Sequence, residues 1–513
     1  MNFREAPGRV RQWLDTRISS GFSNFLFIDR HYRSHSVLRR IFSLARQQRF
    51  QSLLIEELSE TDCSWLAEED ATLRIRRPDF TGSRVHRLSF WRGLPGQCSG
   101  PDDFVGYAIF KSDCFSGLPQ IDYIYESVMP PTRLKDQNNF IHCHRTYNVL
   151  TAAGEQSVSG VLYAQQNQYT FVCAHVGLRT AAACLLPGRD ASYARMNALA
   201  GIDHVNRKVG DGAGLSTPDL EKMITGLGLE YRKTVHEPSE NLLLPTEFQR
   251  DLYGIIESGC PALVGFESND AGSSSGPFPR HIVPIIGHTF NDDAWVPDAQ
   301  RSYFGNQSGY FSSESWLSSY LLHDDNFGPY YCLPRHFLGK DQFRLMLGLM
   351  RSATPLSATE AETVAFSYLH DIATKLPALG QDWYDRFAIF SRNGLLVLRA
   401  LLVDRADYIG HLQDMRSWDN TALEQDAISA FASLLPERFW MIEASAQELF
   451  TASRRKFGEV LLHATSALPR PLDFSLMLAI RLPGILIPVQ NGNPTVVPTN
   501  LRGHTRVFEG HPA

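Results

Sequence analysis

Three side chains in this sequence have the types and the order that nucleophilic acyl chemistry needs: Cys173, His281 and Asp298. A thiol attacks a carbonyl as its thiolate, an imidazole takes and returns the proton, and a carboxylate holds the ring in the useful tautomer. The negative charge that develops on the carbonyl oxygen needs a donor. A side-chain amide shortly before the cysteine provides one beside the backbone N–H of Cys173. Gln166 and Gln168, in the stretch YAQQNQYTFVC, both meet that description. Taken alone, Cys173 on an alanine-rich segment is a core thiol; the later histidine and carboxylate in the right order are what point to chemistry.

Two elements must position these groups. Ala174, Leu178, Ala181, Ala182 and Leu185 recur at helical spacing, which predicts a buried helix closed by Pro187 and Gly188. Cys173 opens it, at the positive end of the helix dipole, where a thiolate is favoured over a thiol. His175 is expected on the helix surface or in a neighbouring subsite, outside the triad. The second element is RHIVPIIGHTFNDDAWVPDAQ, residues 280 to 300. His281 opens an apolar strand, Asn291-Asp292-Asp293 turns, and Ala294-Trp295-Val296 returns. In such a hairpin the residue opening the first strand neighbours the residue closing the second, here Asp298. Pro284 removes a ladder donor and implies an edge or a bulge. His288 is the rival imidazole, on the opposite face unless a bulge intervenes.

Elsewhere the pattern is of scaffold. A helix is expected over Arg30 to Gln48 with Val37, Leu38, Ile41, Phe42 and Leu44 inward. Strands are expected at Ser52 to Glu56, Val105 to Phe110 and Ile121 to Tyr125, with Tyr107, Phe110, Tyr123 and Tyr125 in the core. Thr217 as N-cap with Pro218 behind it starts another helix, Phe248 to Ser258 forms a further one, and Pro261 to Phe266 reads as a buried strand. Tyr303 to Tyr331, rich in Tyr, Phe, Ser and Gly, lines a cleft or wraps the core. Beyond it, the capping box Ser357/Glu360 starts a helix through Val364, Leu369 and Ile372. Strands follow at Leu395 to Val403, Gly458 to Ala464 and Ile485 to Val489, the last closed by an Asn491-Gly492 turn.

The 513 residues exceed one ordinary core. Three units are expected: residues 1–150 and 339–513 as mixed α and β accessory regions, with 151–338 carrying the chemistry between them. Apolar content of 43%, charged content of 20% and a net charge of -6 describe a globular chain and argue against general nucleic-acid binding. No apolar run is long enough for a membrane span, and the first segment is too charged for a secretory signal, so a cytoplasmic location is expected. The eight cysteines are scattered, without the pairs of a disulfide framework or zinc ribbon. His142-Cys143-His144 has no second ligand pair at a recognisable spacing, so neither metal nor cofactor is expected.

The order of these residues resembles a papain-like cysteine peptidase, and within that superfamily the bacterial peptidases that cleave leader peptides after a double glycine. The resemblance is confined to the middle of the chain. It implies an α+β fold in which a central helix carrying the cysteine packs on an antiparallel sheet. It implies further that Cys173 is the nucleophile, His281 the base and later acid, Asp298 the orienting residue, and Gln166 or Gln168 the oxyanion donor. At the family's glutamine position this chain has Asn167, and Ala174 follows the cysteine where glycine is usual. The implied activity is hydrolysis of a peptide or isopeptide bond in a peptide or protein substrate. A thiol acyltransferase, transglutaminase or deamidase uses the same triad, and a peptide-binding module without activity keeps the same fold. The accessory regions would then bind substrate or a protein partner.

Overall fold

The computed structural model describes residues 8–15, 24–60, 63–93, 101–131, 139–167, 169–186, 188, 191–206, 214–235, 247–267, 280–290, 309–338, 343–375, 389–390, 395–469 and 473–509. Among the described residues three large sheets and one two-stranded sheet, Arg455–Lys456 with Thr505–Arg506, almost wholly antiparallel, carry an α+β architecture.

The first sheet runs in the order Arg9–Asp15, Ser52–Leu58, Phe80–Trp91, Phe104–Phe115, Ile121–Met129, Gly154–Tyr163, Arg145–Thr151. The helix Ser36–Gln47 covers one face through the five apolar side chains expected of it. The single helix expected from Arg30 is instead two, Asn24–His31 and Ser36–Gln47. Arg33 and Ser34 between them have φ of 52° and 58°, left-handed values that no α-helix accommodates. His35 then caps the second helix, accepting at Nδ1 from Leu38 N at 3.2 Å. The opposite face of the sheet meets the cysteine helix through Tyr107, Tyr123 and Tyr125, all buried.

The second sheet has the order Gly328–Pro334, Leu317–Asp324, Arg280–Phe290, Ala262–Glu267, Phe343–Met350, Glu230–Val235, with Asn139–Phe140 added beside the Arg280–Phe290 strand. The histidine strand is therefore internal, and Pro284 sits opposite Leu263. Its missing N–H is accommodated where the pairing with Leu317–Asp324 begins only at Ile285 and then slips between Ile285 and Gly287, a bulge. Sequence patterning read the two strands Leu317–Asp324 and Gly328–Pro334 only as an aromatic wrap. The strand Phe343–Met350 fills a place inside this sheet, between Ala262–Glu267 and Glu230–Val235.

The third sheet, built on Leu396–Asp404, Arg438–Ala446, Gly458–His463, Met477–Leu482 and Ile485–Gln490, sandwiches between the helix Ala358–Lys375 on one face and the helices Arg405–Asp414 and Gln425–Ala432 on the other. The capping box forms as expected: Ser357 N donates to Glu360 Oε2 at 2.8 Å, and Glu360 N to Ser357 Oγ at 3.0 Å. In the helix Thr217–Gly226 the cap is one residue earlier than expected. Ser216 and Asp219 exchange bonds of 3.3 and 3.0 Å, so the hydroxyl with an acidic partner three residues on outcompetes Thr217. Among the described residues no helix is long and apolar enough to cross a membrane.

Candidate active site

The cysteine helix spans Cys173–Leu185, and every residue from Ala174 to Leu185 is buried. It lies on the second sheet where Gly177 allows close approach: a Cβ there would stand 3.2 Å from a Leu263 methyl and 3.5 Å from the Pro284 ring. Cys173 itself is half-buried, so its sulfur is reachable.

His175, expected on the surface, is instead wholly buried. Its Nδ1 accepts from Val172 N at 3.3 Å, which assigns the proton to Nε2, and Nε2 donates to Asn197 Oδ1 at 2.9 Å. Asn197 Nδ2 in turn donates to His204 Nδ1 at 2.8 Å. The residue before Cys173 is thus tied to the neighbouring helix Tyr193–Ala200. A helix N-terminus leaves backbone donors unpaired, and an imidazole two residues past the cysteine satisfies one without covering the sulfur.

His281, at the start of its strand, lies close enough to Cys173 for the thiol to act on the ring's pKa. Its Nε2 lies 3.3 Å from Asp324 Oδ2 and 3.4 Å from Asp325 Oδ1. Burial works against charge on this ring. The hydrogen bond to Asp324, the neighbouring Cys173 side chain and the fields of both carboxylates outweigh it, raising the pKa to about 10. His281 packs edge-on against Phe266 at 5.6 Å. The rival His288 is fully buried and bonds Glu257 Oε1 at 2.8 Å, on the side facing the third sheet.

The carboxylate beside the imidazole belongs to the end of an antiparallel strand, as the hairpin geometry requires, but that strand is Leu317–Asp324. Asp298 lies outside the described residues. Asp324 and Asp325 are held from several sides. Asp324 Oδ1 accepts from Asn326 N at 2.8 Å and Phe327 N at 3.2 Å, which leaves Oδ2 for the histidine. Tyr163 OH donates to Asp324 O at 3.1 Å, and His323 Nδ1 meets Leu162 O at 3.0 Å. Among the described residues neither side-chain oxygen of Asp325 has a hydrogen-bond partner. Burial raises its pKa to about 6, against the attraction of His281.

The amides before the cysteine divide their work. Asn167, wholly buried, accepts at Oδ1 from the N–H groups of Tyr169, Thr170 and Phe171 at 3.0, 2.9 and 3.4 Å and donates to Thr170 Oγ1 at 2.8 Å. It shapes the approach to the helix from a wholly buried position. Gln165, which the pattern did not single out, accepts from Ile124 N and donates to Asp325 O, each at 2.8 Å. It fastens the carboxylate turn to the first sheet, and the run of amides before Cys173 was its only signal. Gln166 is half-buried. Gln168 lies outside the described residues.

The cluster His142-Cys143-His144 points in three directions. His142 Nε2 is 3.3 Å from Glu257 Oε2, Cys143 Sγ 3.3 Å from Ile286 O, and His144 Nδ1 3.0 Å from Ile141 O. Comparisons of this chain with family models, with curated proteins and with solved structures find no match.

Proposed function

We propose that this chain is a papain-like cysteine peptidase, hydrolysing a peptide or isopeptide bond through a thioester on Cys173. The observation that carries the reading is the placement of Cys173, at a helix N-terminus, close enough to His281 to shift its pKa, with Asp324 at the Nε2 of the same ring. A buried helix laid on an antiparallel sheet, with the histidine opening the strand beneath it, supports the papain-like arrangement.

In this reading the sulfur, paired with an imidazolium, attacks the carbonyl carbon. The oxyanion is met by the N–H of Cys173, one of the helix donors without an intrahelical partner, and by the Gln166 side chain. Collapse breaks the C–N bond, and the amine leaves with the proton of His281. Water then attacks the thioester, His281 takes its proton, and the acid departs as the thiolate re-forms. Asp324 holds the ring through both half-reactions.

The test is labelling of the full chain by a peptide-like electrophile, with Cys332 as internal control because it is more exposed than Cys173. Activated chemistry labels Cys173 faster than Cys332, and His281→Ala removes the difference. Labelling that follows exposure alone would identify a peptide-binding module without activity. Adding primary amines to a cleaved peptide separates hydrolysis, which yields the acid, from acyl transfer, which yields the new amide.

A further inference from the structure

The described residues hold two groups of three side chains with metal-ligating atoms within 4.8 Å of one another, and they differ in one respect. In the group His411, Glu443 and Glu459 the chain supplies its own cation. Lys456 Nζ stands 2.7 Å from Glu443 Oε1 and 3.0 Å from His411 Nε2, and it also bonds Glu459. In the group His281, Asp324 and Asp325 no lysine or arginine is paired with either carboxylate among the described residues. Asp325 is 7% exposed, both its oxygens lack a hydrogen-bond partner among the described residues, and Oδ1 stands 3.4 Å from the histidine nitrogen. Two buried carboxylates against a single imidazole leave one negative charge without compensation, which is costly, and proteins retain such a group where something else completes it.

The spacing says what fits. Nitrogen and oxygen ligands sit roughly 2.0 to 2.2 Å from a tetrahedral zinc ion, which places them about 3.3 to 3.6 Å from each other. His281 Nε2 stands 3.3 Å from Asp324 Oδ2 and 3.4 Å from Asp325 Oδ1. We propose that His281 Nε2, Asp324 Oδ2 and Asp325 Oδ1 form a zinc site, which holds the catalytic histidine in an inactive state when filled.

One imidazole, two carboxylates and an open fourth position suit Zn²⁺ better than Ca²⁺, which takes six to eight oxygens. Binding replaces the proton on Nε2, which passes to solvent, and the ion's two charges offset the two carboxylates. The sulfur is not a ligand. Cys173 is left beside a ring whose basicity the metal has lowered, so it loses the group that exchanges its proton. The inhibitory consequence rests on the peptidase reading above; the metal site itself does not.

Equilibrium dialysis of the full chain against Zn²⁺ should find a site that Cys173→Ser keeps and that Asp325→Asn weakens on the order of tenfold or more. Co²⁺ in its place should give a tetrahedral spectrum without a thiolate-to-cobalt band, a result that stands even if Asp325→Asn fails to fold. Retention of the site in folded Asp325→Asn, its loss in Cys173→Ser, a thiolate band, or no stoichiometric binding overturns the proposal. Alkylation of Cys173 with and without Zn²⁺ keeps the two readings apart. Slowing by zinc supports the inactive state, and zinc binding with no slowing overturns it. A Cys173 that is inert even without metal counts against the peptidase reading, while dialysis still decides the site.

Discussion

Two carboxylates face one imidazole here, and their own partners separate their roles. Asp324 is fixed by two backbone donors and offers its second oxygen to His281, as an orienting group must. Turnover of a cleaved peptide should vanish with Cys173→Ala or His281→Ala. It should fall less with Asp324→Asn, on the order of a hundredfold, because the ring remains in reach of the sulfur. Gln166→Ala should lower the rate by on the order of a hundredfold with KM nearly unchanged, since an oxyanion donor acts on the transition state. Full activity in Asp324→Asn alongside loss in Asp298→Ala would return the orienting role to Asp298. Another residue beneath the cysteine helix reports on pH. Glu69 is buried beside Lys111, Asp70, Asp113 and Arg179, and desolvation raises its pKa to about 8 despite the two cations. A carboxyl raised above its unfolded value of about 4.3 stabilises the fold fully below that pH, and the contribution is lost as pH rises through 8. Glu69→Gln cannot ionise, so its melting temperature should fall less than that of the wild type between pH 5 and 9. Parallel melting curves for the two proteins would refute the assignment.

The cysteine helix depends on how its first turn is held. His175 serves it from inside, bridging Val172 N and Asn197, while Arg179 on the same helix donates to Glu126 Oε2 at 2.7 Å and stacks over Tyr125 at 4.8 Å. Ion pair, ring and capping bond together fix both the rotation and the height of the helix against the first sheet. Removing His175 leaves the Val172 N–H donor and the Asn197 Oδ1 acceptor unsatisfied, at about 1 to 3 kcal/mol. His175→Ala should therefore lower the urea midpoint by that equivalent and slow labelling of Cys173, although the histidine never touches substrate. A variant that is destabilised while its labelling rate stays at the wild-type value would confine His175 to a structural role.

Across the molecule, the second and third sheets are joined by buried charge. Glu257 receives His288 and Arg399, Arg399 continues to Glu443 Oε2 at 2.9 Å, and Glu443 meets Lys456 at 2.7 Å. Each member is nearly inaccessible, so loss of one strands another. Arg399→Ala should cost about 3 to 5 kcal/mol in chemical denaturation, far more than a surface arginine. A fragment of residues 151–338 lacks both Arg399 and the internal strand Phe343–Met350. It should be recovered aggregated or without cooperative unfolding, whereas the full chain melts in a cooperative transition. A well-folded, active fragment of that length would show that the outer regions are independent of the site.

Local patterning determined much of this. Periodicity placed Val37 through Leu44 and Ala174 through Leu185 inward, and the Ser357/Glu360 box and the Asn491-Gly492 turn, with φ of 52° and 76°, formed as their residue types dictate. These signals are carried by neighbours within a turn of chain, where backbone sterics and side-chain spacing act directly. Cys173 and His281 were legible for the same reason, each opening an element that its own neighbours define. That Asp324 stands beside His281 was not, because the strand ending at Asp324 pairs with the histidine strand across an intervening segment, and its position depends on register and a bulge at Ile285. The division of labour among Gln165, Gln166 and Asn167 was equally hidden. Adjacent amides are chemically alike, and only the packed turn decides which one reaches Asp325 and which takes the backbone N–H groups. Even the burial of His175 required the helix Tyr193–Ala200 to dock, since a lone turn of helix offers its imidazole no partner.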